Sequence, residues 1–121
     1  MKRDMDLVRD ILLLIESSEN CGFDWRESEF APLNRDFSIV NYHIKIMVDG
    51  GLLECEKAEK VKYATYYDSL YITAKGHEFL DCIRNDDIWH EVKERIAIVG
   101  GAPSDIIMLL ANKLIRKVVT T

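Results

Sequence analysis

A chain of 121 residues, 48% of them hydrophobic, is long enough to bury one continuous core, and a single domain spanning residues 1–121 is expected. Its formal charge of −5 excludes the strongly basic class of nucleic-acid binders, so any contact with a polyanion has to come from a local patch. The imbalance is concentrated at the front: residues 1–36 carry five basic and nine acidic side chains, 37–73 four and five, and 74–121 seven and seven.

Cys21, Cys55 and Cys82 form no CxxC pair and follow no secretory leader, which is the usage of a reduced compartment, and each reads as a small packing residue. The apolar run Ile11 to Ile15 behind Lys2 and Arg3 is too short and too acidic in its flanks for a signal segment, and Ile106 to Ala111 is far below a membrane span. The expectation is a cytoplasmic protein with no membrane partner.

In chain order, "RDMDLVRDILLLIESSE" places Met5, Val8, Leu12 and Ile15 at helical spacing, with Asp4 or Asp6 at the N-terminus and Arg9, Asp10 and Glu16 on the wet side. "NCGFDWRESEFAPLNRDF" has no sustained period; it predicts a short strand near Phe23 to Trp25, then at most a short or distorted helix, with Phe23, Trp25 and Phe30 needing burial. From Ser38 to about Asp49 the period returns. Val40, Ile44, Met47 and Val48 face the core, Ser38, Asn41, Tyr42, Lys45 and Asp49 line the opposite side, Ser38 is the expected N-cap, and Gly50 or Gly51 ends the helix.

"LLECE" and "YYDSLYIT" alternate as two strands of a hairpin, joined by "KAEKVKYATY", which reads as a long polar loop. Thr73 can cap a helix starting at Ala74 that buries Phe79, Leu80 and Ile83. Asn85 or Asp86 caps another carrying Ile88, Trp89, Val92 and Ile96, which "GGAP" terminates. The last helix starts at Ser104 and is apolar almost all round, with Lys113, Arg116 and Lys117 near its end.

Helix, short strand, irregular segment, helix, two-stranded hairpin and helices is the order of a winged helix-turn-helix with a C-terminal helical extension. The expected class is mainly α (α+β), with a winged-helix core and wing over 1–73 and C-terminal helices over 74–121 that serve as a candidate dimerisation segment. "YHIKIMVDGGLLE" resembles the recognition-helix-to-wing junction of winged-helix regulators, and "LYITAKGHEFLD" the Leu-x-x-Thr-x-x-Gly step after the wing, in Leu70, Thr73 and Gly76. The stretches "MDLVRDILLLIE", "YHIKIMVDGGLL", "LYITAKGHEFLDCIRND" with Trp89, and "SDIIM" further resemble a domain-of-unknown-function family, numbered 2513, of small bacterial and phage or prophage proteins. That resemblance implies a winged helix in a phage or prophage setting and carries no activity or site residues with it. Pro32 and Asn34 depart from the regular short helix that winged-helix repressors place before the recognition helix.

For a DNA-binding domain, Ser38, Asn41, Tyr42 and Lys45 would enter the major groove, where Asn can pair with adenine and Lys can reach guanine or phosphate. Lys57, Lys60 and Lys62, among Tyr63, Tyr66 and Tyr67, would follow phosphates if they point together; alternating with Glu54, Glu56 and Glu59 they make an ordinary mixed-charge hairpin. Equally, the helix face can be the plain solvated side of an amphipathic helix. His43, His77 and His90 are dispersed, with no HExxH or paired cysteines, and His43 reads as a satisfied, partly buried imidazole. No nucleophile accompanies His77 and Asp81, and no phosphate or dinucleotide loop is present, so neither an enzyme nor a cofactor or metal is expected.

Trp89 amid Asp86, Asp87, Glu91 and Glu94 reads as core or, in the alternative, as a docking anchor. Ile107, Leu110, Leu114 and Val118 are the expected contacts of a homodimer. The leading expectation is a winged-helix protein that binds double-stranded DNA and acts in transcriptional control. The alternative is a winged-helix module that binds another protein.

Overall fold

The computed structural model describes residues 1–18, 25–62 and 64–120. They form two compact units, Met1–His77 and Glu78–Thr121, whose division falls inside a helix. The described residues are mostly helical, with two small antiparallel two-stranded sheets among them, and the chain is of α+β class.

In the first unit, α1 (Met5–Ser17) buries Leu7, Val8, Ile11, Leu12 and Ile15. Asp4 is its N-cap, accepting from the backbone N–H of Asp6 and Leu7 at 3.0 and 3.3 Å, which satisfies two of the donors a helix start leaves open. A 3-10 helix (Glu27–Leu33) contains Pro32 and stops at Asn34, whose φ of 53° is left-handed. The distortion expected of "ESEFAPLN" is therefore present, and its physical source is a proline that cannot donate followed by a residue that tolerates positive φ.

Helix α2 (Phe37–Asp49) buries Val40, His43, Ile44 and Met47 and packs on α1. Its cap is Asp36 rather than Ser38: the Ser38 N–H and hydroxyl both donate to Asp36 Oδ1, at 3.0 and 2.9 Å, and hold that carboxyl below its ordinary pKa. His43 is wholly buried, where the sequence suggested part burial. Its Nε2 accepts the Asp4 N–H at 2.8 Å and its Nδ1 lies 2.8 Å from the Ile39 carbonyl, so the ring is the neutral tautomer with its hydrogen on Nδ1. The carboxylate of the same Asp4 pairs with Arg35 at 3.3 Å, so one residue caps α1 and ties it to α2 and to the segment before it.

The hairpin is longer than expected. β1 (Leu53–Glu54) pairs with β4 (Tyr71–Ile72), and "KAEKVKYATY", expected as a loop, is mostly strand: β2 (Lys57–Val61) pairs with β3 (Ala64–Asp68) in register Lys57↔Asp68 to Val61↔Ala64. Lys62 supplies the positive φ, 57°, of the turn. Every residue of β2 is exposed. A strand wet on both faces shows no apolar alternation, which is why its sequence reads as loop. The strand expected near Phe23 to Trp25 lies mostly outside the described residues, as do Cys21 and Phe23; Trp25 itself bridges to Tyr67, donating its N–H to the Tyr67 carbonyl at 3.1 Å.

The two segments that resemble winged-helix junctions meet in space. Thr73 Oγ1 accepts the Gly76 N–H at 2.9 Å, capping α3 (Ala74–Ile83), and donates to the Gly51 carbonyl at 2.5 Å. Gly76 lies directly against the Leu52 carbonyl, where a Cβ would clash with backbone and meet Ile72 Cγ2 at 2.8 Å. Thus "DGGLL" and "LYITAKG" are two sides of one close backbone contact.

In the second unit, Asn85 caps α4 (Asp86–Ala97) by accepting the Ile88 N–H at 3.0 Å, and α4 packs on α5 (Ser104–Val119). Phe79, Leu80, Ile83, Trp89, Val92, Ile107, Ala111 and Leu114 are buried. Cys82 is buried and donates its thiol to Asn112 Oδ1 at 3.2 Å. Burial first, then Asp81 and Glu78, raises its pKa, which suits a packing residue rather than a nucleophile.

Candidate nucleic-acid interface

The face of α2 opposite its core stripe carries all the residues expected there, each in a different state. Ser38 is exposed but its hydroxyl is committed to Asp36. Asn41 is half-buried: its Nδ2 donates to the Thr65 carbonyl at 2.6 Å and its Oδ1 accepts the Thr65 N–H at 3.1 Å. This side chain completes the free edge of β3 as a neighbouring strand would, and so is occupied rather than free to read a base. Tyr42 is exposed, its ring edge-on to His43 at 5.7 Å between centroids. Lys45 pairs with Asp49 at 2.9 Å across one helical turn, with more than 60% of each side chain in solvent.

On the ribbon, strand alternation puts Lys57, Glu59 and Val61 on one side and Ala58 and Lys60 on the other, with Lys62 in the turn. The three lysines are exposed but do not form a single clamp. Lys57 sits opposite Asp68 and shares its side with Glu59.

A feature that the sequence does not disclose lies beside the ribbon. Trp25, Phe30, Phe37 and Tyr66 form a continuous aromatic line, with successive centroids 5.2, 6.3 and 6.4 Å apart, and the Arg26 guanidinium sits over the Tyr66 ring at 5.2 Å. Arg26 and Lys57, with Glu59, Tyr66, Tyr67 and Asp68, line a recess of about 110 Å³. Arg26 reaches it because the Trp25–Tyr67 bridge brings a residue far off in sequence to β3. Phe30 and Trp25 are the buried aromatics the sequence called for, whereas Phe37 and Tyr66 carry no periodic signal.

In the second unit, Trp89 is core, with Lys93 over its ring at 5.8 Å. The surrounding acids are partly paired: Glu91 with Arg95 at 2.8 Å and Glu94 with His90 at 3.0 Å. Of the expected dimer contacts, Ile107 and Leu114 are buried in the chain's own fold and Leu110 is half-buried, while Val118 is exposed. Ile107 and Leu114 therefore cannot meet a second subunit without opening the fold, because they lie on the stripe that packs inward. Among the described residues, no three His, Cys, Asp or Glu side chains converge on a point where a metal could be held, and no helix is long and apolar enough to cross a membrane.

No solved structure matches the chain. A protein of Haemophilus influenzae described as uncharacterized is 35% identical over 96 residues, which is 79% of each chain. The family described as "Hypothetical protein (DUF2513)" matches residues 2–102. Those residues include α1, the α2-to-β1 junction and the Thr73–Gly76 step with Trp89; "SDIIM", at 104–108, lies beyond them. The matched span thus contains both halves of the Leu52–Gly76 contact, and the chain belongs to the DUF2513 family.

Proposed function

We propose that this chain is a winged-helix DNA-binding protein of bacterial or phage type that acts in transcriptional control. α1, the 3-10 segment, α2 and the long ribbon follow the winged-helix order, with β2 and β3 as the wing. The observation that carries the reading is the double hydrogen bond from Asn41 to Thr65, which joins the wing to the exposed side of α2. Tyr42 and Lys45 on the helix, and Lys60 and Lys62 on the ribbon, act in this reading as one surface. In this reading Asn41 positions the wing rather than reading adenine. Tyr42 and Lys45 enter the groove beside Ser38, and Lys60 and Lys62 reach phosphates, whereas Lys57, on the other side of the ribbon and opposite Asp68, does not. Releasing Lys45 from Asp49 costs little, because an exposed i,i+4 pair is worth about 0.3–0.5 kcal/mol. A homodimer would set two such surfaces on two half-sites.

A second reading, a protein-interaction module on the same fold, is favoured by the charges beside those lysines: Asp49 next to Lys45, and Glu59 and Asp68 around Lys57. The two part in one experiment. Fluorescence anisotropy with fragmented bacterial and phage DNA, at low and physiological salt, is expected to show affinity that falls steeply with salt. Lys45→Ala and Lys60→Ala/Lys62→Ala should each weaken binding, and the log–log salt slope should shrink by about one per lost phosphate contact. No binding by the wild type at low salt overturns the DNA reading and leaves the protein module.

A further inference from the structure

The last turn of α5 carries core-type residues that stand exposed beside an open groove. Ile107, Ala111, Leu114 and Val118 follow one another at i, i+4, i+7 and i+11, along a single helix line. The first three are at most 5% exposed, yet Val118 is 69% and the adjoining Val119 74% exposed. The cause is a mismatch of length: α4 has 12 residues and α5 has 16, so α5 runs on by about one turn, roughly 6 Å.

Ile88 near the start of α4 and Ile115, Val118 and Val119 near the end of α5 line one open groove of about 560 Å³, so the two helices are antiparallel there. Asp81, Arg84, Asn85 and Asp87 form its polar rim. Asp81 and Arg84 are paired with each other at 2.9 Å, which leaves Asp87, in the first turn of α4, to set the sign of that wall. The opposite flank of the same α5 end is basic, with Lys113 and Arg116 both exposed.

We propose that this groove seats a second copy of the chain, with the overhanging last turns of two α5 helices packed across a two-fold axis. Charge complementarity selects that occupant. One end of the unit carries an apolar groove, an acidic wall and a basic flank together. A two-fold rotation lays apolar surface on apolar surface while each basic flank meets the other copy's acidic wall. A partner of one charge would satisfy only one wall. The surface differs from the inward stripe of Ile107 and Leu114 and uses residues that are exposed in the single chain. It also lies wholly in the second unit, so it stands or falls apart from DNA binding.

The test is sedimentation equilibrium of the full chain without DNA, over a concentration series. The wild type is expected to reach twice the monomer mass, and Val118→Asp/Val119→Asp to raise the dimer dissociation constant at least about tenfold with an unchanged far-UV circular dichroism spectrum. Because both valines are exposed, the fold has little to lose. Asp87→Lys and Arg116→Glu should each weaken the dimer, and the two together should restore it, which no general loss of folding can imitate. A wild type that stays monomeric to about 100 µM, a dimer indifferent to the valine changes, or charge reversals that fail to compensate would each overturn the proposal.

Discussion

Asn41 on α2 holds Thr65 on β3 by both backbone groups, its amide donating to the carbonyl at 2.6 Å and accepting the N–H at 3.1 Å. Replacing it by Ala removes both bonds and is expected to cost about 1–3 kcal/mol, because the Thr65 groups sit part-buried. Asp at this position can accept from the N–H but opposes the carbonyl, so it should recover less than half of the loss. Urea denaturation measures the cost. Hydrogen exchange at Thr65 should accelerate in Asn41→Ala; an unchanged rate would show that the ribbon is held by something else.

His43 replaces a helix-to-helix apolar contact with a hydrogen bond between α2 and the start of α1. His43→Leu leaves the Asp4 N–H without its acceptor and should cost about 2 kcal/mol. His43→Gln, whose side-chain oxygen can accept the same proton, should recover part of that. Equal urea midpoints for the Leu variant and the wild type would refute the role given to this bond.

The Asp36 cap makes stability depend on acid. Its carboxyl is held below its ordinary pKa by the Ser38 N–H and hydroxyl, so its charged form contributes stability that is fully present above the unfolded value and is lost as pH falls through the folded one. Melting temperatures of wild type and Asp36→Ala, followed from about pH 7 to pH 2, should therefore differ at neutral pH and converge in acid. A gap that is constant with pH would mean that the charge contributes nothing.

Gly76 and Thr73 should tolerate no ordinary substitution. A Cβ at position 76 runs into the Leu52 carbonyl, backbone that cannot rotate away, so Gly76→Ala is expected to destabilise by about 3 kcal/mol, at the upper end of overpacking costs. Thr73→Val keeps the shape but loses the α3 cap and the bond to the Gly51 carbonyl, for about 1–2 kcal/mol. Thermal melts of the two variants rank them, and Gly76→Ala should melt lower.

Local signals determined much of this chain. The helical period marked α1, α2, α4 and α5, because an amphipathic helix must put one stripe into a core. Thr73 and Asn85 were legible as caps, Pro32 and Asn34 as a distortion and Trp89 as core, since each depends on neighbours a few residues away. Other features were decided by three-dimensional geometry, locally at one helix cap and between distant residues elsewhere. Ser38 looked like the cap of α2, but Asp36 took that role once its carboxylate could collect two donors. β2 and the start of β3 read as loop because β2, solvated on both faces, has no apolar alternation, and its pairing with β3 comes from cross-strand hydrogen bonds that sequence does not display. Asn41 looked like one polar residue on a wet helix face until β3 came alongside it. The stripe on α5 looked uniform along its length, and only the shorter α4 divides it into a buried part and an exposed one. A periodicity reports which face is apolar; what covers that face is set by the lengths and positions of the elements packed against it.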